Sequence, residues 1–157
     1  MSWAIQKATE LGVSAITPLV SDRVMVRPKA SRFTVLQERW QRIAVDAAQQ
    51  SERWDIPEIH PPSSFSIFME TTGNEGVGCI LVERQGTKRL RSLPINEHFT
   101  GKIIVTVGPE GGWTNEERRQ AIQYDFSEVT IGATIFRAET APLVALTLIQ
   151  NQLGEFG

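Results

Sequence analysis

A strand that runs directly into a glycine-rich turn and restarts as a capped helix constrains the fold of this chain most. Residues 103–107 are β-branched and predict the strand, and residues 108–112 read Gly-Pro-Glu-Gly-Gly. Thr114 and Glu117 have the spacing of a capping box, which predicts a helix through about Gln123. In α/β proteins such turns lie at the carboxyl end of a parallel sheet, where ligands usually bind.

The rest of the chain alternates helical and strand patterns. Helices are predicted at 3–11, from 33 to about 50–53, at 65–70 and at 141–153, with Ser2 as the first cap and Gly12 as the first stop. Strands are predicted at 13–20, 56–59, 77–83 and 128–131, and residues 84–101 are interpreted as a loop. This alternation predicts an α/β fold with a mostly parallel sheet flanked by helices.

Composition limits the class of protein. A chain of 157 residues fits one domain, and no apolar run approaches the ~20 residues that span a bilayer. The first residues lack the pattern of a secretory signal, so we expect a cytoplasmic protein without a membrane partner. Cys79 is the single cysteine and lies in an apolar strand, which argues against a catalytic thiol, and the few His and Cys residues favour no metal site.

The net charge of −2 argues against a generally basic surface of the kind that nucleic-acid binders carry. Lys and Arg number 16, against 18 Asp and Glu. An RNA-directed function would therefore depend on local placement of arginines, on another chain, or on a domain outside this sequence.

The first glycine turn, residues 108–112, excludes several ligands by what it lacks. No Lys-Ser or Lys-Thr pair follows the glycines, and the spacing is not that of a dinucleotide-binding loop. Glu110 would repel a pyrophosphate but would tolerate a ligand of neutral or positive charge, such as the sulfonium S-adenosylmethionine. A tight turn that needs glycine for its dihedral angles explains the motif equally well.

The second glycine turn, residues 131–140, follows the next predicted strand. Thr140 is placed to cap the last helix, and Pro142 falls in its first turn. Two such turns from neighbouring strands could line one pocket, with Arg137 and Glu139 at its rim. Solvated charges or partners of the helix dipole are the more common explanation for such residues.

Taken together, the motifs closely resemble the bacterial 16S rRNA (uracil-N3) methyltransferases, the RsmE family of the SPOUT superfamily. The resemblance rests on the two glycine turns and on earlier segments at 6–13, 21–23 and 39–53. It implies a SPOUT fold whose C-terminal segment forms a deep trefoil knot, S-adenosylmethionine as methyl donor, 16S rRNA of the small ribosomal subunit as partner, and a homodimer.

The resemblance also implies which residues hold the donor. The implied set is Leu81, Val107, Gly108, Pro109, Glu110, Gly111, Gly112, Ile131, Gly132, Ile135, Arg137, Thr140 and Ala141.

For catalysis, we expect Arg137 to stabilise the uracil anion and Glu139 to orient the base or accept its proton. Arg23 and Arg53 are candidate RNA contacts. Trp113 is a candidate for stacking on a base, although packing against the sheet explains it as well. Two alternatives stay open: a SPOUT enzyme that acts on another RNA position, such as a ribose 2′-hydroxyl or a guanine nitrogen, and a donor-binding or dimerising module without turnover.

The sequence departs from the family in three places. It begins after the N-terminal RNA-binding barrel and the first strand of the catalytic domain, so both are expected to be missing from a domain that fills residues 1–157. Thr134 stands where arginine is common, and Phe136 where leucine is usual. We expect Phe136 to pack equivalently, whereas the charge lost at 134 weakens a contact to substrate or partner.

Overall fold

The N-terminal half is built from helices and very short parallel strand pairs. The computed structural model describes residues 1–24, 29–73, 75–83 and 88–156. The elements of this half are α1 (Ser2–Glu10), β1 (Ala15–Ile16), β2 (Leu19–Val20), α2 (Phe33–Gln50), β3 (Glu58–Ile59), β4 (Ser63–Ser64) and α3 (Phe65–Thr72). Strand β1 pairs with β3 and β2 with β4, both in parallel.

Helix α2 confirms the clearest helical pattern of the sequence. Its apolar residues recur at spacings of three and four, so that Trp40, Ala44 and Ala47 lie buried on one face. This face packs on α1, where Ile5 is buried in the same cluster. Gly12 ends the first helix with φ of +88°, as predicted.

Two predictions in this half are wrong in detail. Ser2 is the first helical residue, and Met1 occupies the cap position. The strand predicted at 13–20 is split into β1 and β2, because Pro18 has no N–H and the chain changes its partner strand there.

The C-terminal half contains a four-stranded parallel sheet in the order β6-β8-β5-β7. Its elements are β5 (Gly76–Leu81), β6 (Lys88–Arg89), β7 (Lys102–Thr106), α4 (Asn115–Gln123), β8 (Ser127–Thr130) and α5 (Ala141–Gln152). The predicted α/β class with a parallel sheet flanked by helices is confirmed.

Side chains of β5 alternate between two apolar clusters on opposite faces of the sheet. Cys79 and Leu81 pack with residues of α5, whereas Ile80 packs with residues of α3 and α4. Burial raises the pKa of the Cys79 thiol to about 12, so it stays neutral and unreactive.

The prediction of a loop over 84–101 is wrong for part of that range. Lys88–Arg89 forms the edge strand β6, and Leu90–Ser92 forms a 3-10 turn. Leu90, Leu93 and Ile95 are buried in the cluster under α5. A two-residue strand has no periodicity for a sequence to reveal, and residues 84–87 lie outside the described part of the chain.

Within the described ranges, none of the helices combines the length and the apolar character needed to cross a membrane.

Candidate ligand-binding cleft

The two glycine turns meet in one cleft of about 750 Å³ at the carboxyl end of the sheet. Strands β5, β7 and β8 end at this cleft, as expected for parallel strands. Of the predicted donor-binding residues, the following line it: Leu81, Val107, Gly108, Pro109, Glu110, Gly111, Gly112, Ile131, Ile135, Arg137 and Ala141. Gly132 and Thr140 are not among its lining residues.

The first glycine turn needs glycine for both shape and space. Gly112 has φ of +66°, and its N–H donates to the carbonyl of Pro109 at 2.8 Å. A Cβ at Gly112 would meet nothing within 4 Å, so this face of the turn is open. A Cβ at Gly108 would lie 3.1 Å from the ring of Trp113, so side chain and turn are in close contact there.

A buried carboxylate fixes the start of α4 just after this turn. Glu117 is 4% exposed, and its Oε2 accepts hydrogen bonds from the N–H of Thr114 at 2.8 Å and from its hydroxyl at 3.1 Å. The N–H of Glu117 donates in return to Thr114 Oγ1 at 3.1 Å, which confirms the predicted capping box.

The same carboxylate reaches across the chain to the N-terminal half. Glu117 Oε1 accepts the N–H of Asp22 at 3.0 Å, although 95 positions separate the two residues. Next to Asp22, the guanidinium of Arg23 donates to the carbonyl of Gly111 at 2.9 Å. The turn is therefore held from outside by a distant segment, and Arg23 itself lines the cleft.

Trp113 forms a buried wall of the cleft. Its side chain is 7% exposed, its Nε1–H donates to the carbonyl of Leu81 at 3.0 Å, and its ring lies 4.9 Å from that of Phe65. These contacts favour the alternative, packing against the sheet, and stacking on a base stays a prediction.

The second glycine turn is held by local contacts. The hydroxyl of Thr130 donates to the carbonyl of Gly132 at 2.9 Å, and the carbonyl of Arg137 accepts the N–H groups of Thr140 and Ala141, each at 2.9 Å. Thr140 stands at the cap position of α5 and Pro142 in its first turn, as predicted, although the side chain of Thr140 makes no capping bond. Ile135 is 50% exposed on the cleft side.

The two predicted catalytic residues differ in position. Arg137 is exposed and lines the cleft, whereas Glu139 is half-buried and lies outside the lining. Across the described ranges, neither side chain has a hydrogen bond or ion pair. Arg137 is thus available to a ligand in the cleft, and the geometry does not favour Glu139 as a group that touches it.

Arg53 has a structural role. Its guanidinium donates to the carbonyls of Thr9 at 2.5 Å and Val13 at 3.0 Å, and it pairs with Asp55, whose pKa it lowers. The side chain is 12% exposed and does not line the cleft. Its donors tie the end of α1 to the end of α2, so the geometry does not favour the predicted RNA contact by Arg53, which stays a prediction.

Arg118 is a lining residue that the sequence analysis missed. Its Nε and Nη2 donate to the two carboxylate oxygens of Glu128 at 2.6 and 2.8 Å. This pairing lowers the pKa of Glu128 and raises that of Arg118. No local motif marks a pair that joins a helix to the next strand. The other missed lining residues are Val82, Glu83, Thr130, Thr134, Phe136 and Ala138.

No group of three or more His, Cys, Asp or Glu side chains within the described ranges is arranged to hold a metal ion.

The profile of a family described as "RNA methyltransferase domain" matches residues 1–150. Ribosomal RNA small subunit methyltransferase E of Synechocystis is 38% identical over 95% of this chain and 48% of its own length. The protein of the same name from Bacillus subtilis is 31% identical over 97% of this chain and 61% of its own length. The chain thus spans about half to three fifths of these relatives.

Solved structures agree with the sequence relatives. Ribosomal RNA small subunit methyltransferase E of Neisseria gonorrhoeae, bound to S-adenosylmethionine, superposes with a TM-score of 0.86 at 36% identity, over 96% of this chain and 60% of that one. A Legionella pneumophila protein in complex with the same cofactor gives a TM-score of 0.88 at 30% identity, over 96% and 60% of the two chains. Because the family profile covers nearly every residue, the chain belongs to the RNA methyltransferase domain family.

Proposed function

We propose that this chain is the methyl-transferring domain of an S-adenosylmethionine-dependent enzyme that methylates N3 of a specific uridine in the 16S rRNA of the small ribosomal subunit. The observation that carries the proposal is the meeting of both glycine turns in one cleft. Support comes from similar structures that hold S-adenosylmethionine and from relatives named as rRNA methyltransferases.

The residues of the cleft fit this methyl donor. The cleft volume of about 750 Å³ falls within the range of small-molecule sites. The open face at Gly112 lets a ligand approach the backbone of the first turn. Glu83 and Glu110 line the cleft together with Arg23, Arg118 and Arg137, and either carboxylate can face the positive sulfur of the donor. The lining therefore combines room, exposed backbone and charged groups of both signs.

The protein contributes to transfer mainly by positioning. The bound donor would supply an electrophilic methyl group on a positively charged sulfur. The backbone of the two turns would hold it in line with the attacking nitrogen. Apolar walls such as Leu81, Val107 and Trp113 keep water from that approach.

Arg137 is the residue that we assign to the acceptor base. Uridine N3 becomes nucleophilic when it loses its proton, and the negative charge then spreads to the neighbouring carbonyl oxygens. A guanidinium can donate hydrogen bonds to such oxygens. Arg137 is exposed, lines the cleft and has no partner within the described ranges, so its donors are available. Glu139 remains a proposed orienting or proton-accepting group, although it lies outside the lining.

We extend the proposal to the finer architecture of the family: a SPOUT domain with a C-terminal trefoil knot that acts as a homodimer in the cytoplasm. Support for the knot comes from the order of the strands, since β8 pairs between β5 and β6, both of which precede it in the chain. Helix α5 then packs against the 3-10 turn at Leu90–Ser92, also an earlier segment. A late strand inserted between earlier strands is a feature that the knotted arrangement shares.

The test measures donor binding and methyl transfer separately. Titration calorimetry with S-adenosylmethionine should show binding, and labelled methyl should be transferred to small ribosomal subunits that lack the modification. Mass spectrometry of the digested rRNA then gives the methylated atom and separates uridine N3 from a ribose hydroxyl or a guanine nitrogen. Absence of binding at millimolar donor would overturn the proposal.

Arg137→Ala should reduce transfer by about 10²-fold or more while donor affinity changes less, because the arginine acts on the acceptor. Arg39→Ala is the matched control, since Arg39 is exposed on α2 and does not line the cleft. An unchanged transfer rate in Arg137→Ala would remove this residue from the mechanism.

A second candidate is a donor-binding module without turnover. The observation in its favour is that the chain spans only about half to three fifths of its relatives. It predicts donor binding without transfer, and transfer by a longer chain that includes the remaining part of the relatives.

A further inference from the structure

A basic groove lies beside the cleft, at the edge of the same sheet. It has a volume of about 510 Å³, and its charged lining residues are Lys88, Arg89 and Arg91. We propose that this basic groove binds the phosphate backbone of RNA next to the nucleotide that enters the cleft. The inference rests on the proposed function, because it identifies the neighbouring part of the same substrate.

The charge of the groove is opposite in sign to the net charge of the chain. Although acidic residues outnumber basic ones, the segment 88–96 contains no Asp or Glu. Lys88, Arg89 and Arg91 are exposed, and no acidic side chain in the described ranges pairs with them. By contrast, Lys7, Lys102 and Arg119 each pair with a glutamate. The groove therefore carries uncompensated positive charge.

The backbone that presents these cations is firmly anchored. Leu90, between Arg89 and Arg91, is 1% exposed, and Leu93, two positions after Arg91, is 6% exposed, so both are fixed in the core. The side-chain amide of Gln152 donates to the carbonyl of Arg91 at 3.2 Å, and the hydroxyl of Ser92 donates to that of Arg89 at 2.8 Å. An anchored backbone lowers the entropy that is lost when the side chains bind an anion.

The groove and the cleft both lie along strand β8: Ser127 at its start lines the groove, and Thr130 at its end lines the cleft. Arg89 of β6 is the register partner of Thr130 on β8, and Thr130 lines the cleft. Neighbouring strands lie about 4.8 Å apart. An RNA strand whose target base enters the cleft must lay its adjacent phosphates near the rim, and Arg89 brings the charge of the basic groove next to Thr130 there. This position of Arg89 favours RNA over an acidic protein as the partner.

The test compares two triple variants of equal charge. K88A/R89A/R91A removes the cations of the groove, and R32A/R39A/R42A removes three exposed arginines at and near α2 that line neither cavity. Binding of a fluorescein-labelled single-stranded oligouridylate is measured by anisotropy over a series of salt concentrations. Titration calorimetry with S-adenosylmethionine is run on the unaltered chain and on both variants.

For the groove variant, the slope of log K against log salt should fall by about 2, because each phosphate contact on a single strand contributes about 0.7. The control variant should keep the slope of the unaltered chain, and all three proteins should bind the donor equally. Equal losses in both variants, an unchanged slope in the groove variant, or no salt-dependent binding by the unaltered chain would each overturn the proposal.

Two further outcomes separate the hypotheses. If polyglutamate displaces the labelled oligouridylate as well as unlabelled oligouridylate of matched charge does, the groove is a site for an acidic protein and the RNA assignment is overturned. If none of the proteins binds the donor while the groove variant alone loses RNA affinity, the proposed function fails and the basic groove stands.

Discussion

The two glycine turns that meet in the cleft are held by different kinds of contact. The first is tied to distant residues: Arg23 bonds Gly111, Glu117 bonds Asp22, and Trp113 packs under the turn. The second is held by bonds within a few positions along the chain, such as that from Thr130 to the carbonyl of Gly132. The neighbouring side chains differ in exposure as well: Trp113, directly after the first turn, is 7% exposed, and Ile135, within the second, is 50% exposed.

This difference implies that the two turns contribute to the cleft in different ways. The first turn is a fixed wall, because moving it would break contacts with both the sheet and the N-terminal half. The second turn has fewer such contacts in the described ranges and can adjust to a ligand at a smaller cost in free energy. It also carries Arg137, the residue proposed to meet the acceptor base. A fixed first turn beside an adaptable second turn suits the proposed function, in which both turns hold the donor and Arg137 meets a large RNA.

The largest effect is expected for Trp113→Ala, which removes the main support of the first turn. Loss of a buried tryptophan should lower the free energy of unfolding by about 3–5 kcal/mol. Trp54→Ala is the matched control, because that ring is fully exposed and its loss should change the free energy by about 0.5 kcal/mol or less. Urea denaturation measures both. Similar values for the two variants would show that the first turn is no more fixed than the surface.

A smaller effect is expected for Glu117→Ala, which leaves the N–H groups of Asp22 and Thr114 without their acceptor. The expected loss is about 2–3 kcal/mol, with a weaker donor affinity because the segment that carries Arg23 is released from the turn. Chemical denaturation and donor titration give the two quantities. Glu116→Ala is the control, since Glu116 is exposed and pairs only with Arg119 in the described ranges. Unchanged donor affinity in Glu117→Ala would show that the hydrogen bond between Glu117 and Asp22 does not determine the shape of the cleft.

The smallest effects on stability are expected at the starts of α4 and α5, the helices that follow the two glycine turns. Thr114→Ala removes a capping bond and should cost about 1 kcal/mol, whereas Thr140→Ala removes none and should change the free energy of unfolding by about 0.5 kcal/mol or less. Thermal and urea unfolding of the two single variants provide the measurement. Equal costs would contradict the view that only the first turn is anchored through its helix.

How well a feature could be predicted depended on the sequence separation of the residues that form it. The capping box of Thr114 and Glu117 and the apolar face of α2 depend on residues a few positions apart, so the pattern alone predicted them. The bond between Glu117 and Asp22 could not be predicted in this way, because it joins distant segments. The same holds for β6, which is a strand only because β8 lies beside it.

The candidate site was predicted in outline but not in every role. Both turns line one cleft, as the sequence suggested. Arg53 and Trp113 fit the chemistry of RNA contacts, yet the fold uses their donors for backbone carbonyls. Arg118 was not predicted as a lining residue, because nothing near it in the sequence indicates its partner Glu128. Residue type indicates what a side chain can bind, and only the tertiary neighbours decide what it does bind.

The position of Trp113 gives the molecule an optical reporter of its own. An indole that is shielded from water at the wall of a cleft emits at shorter wavelength than one in solvent, and an adenine that settles against that wall would alter its emission. Trp3 and Trp54 are exposed and can be distinguished by aqueous quenchers, whereas Trp40 is buried away from the cleft and adds a constant background. Occupancy of the cleft can therefore be followed by fluorescence in the unlabelled protein.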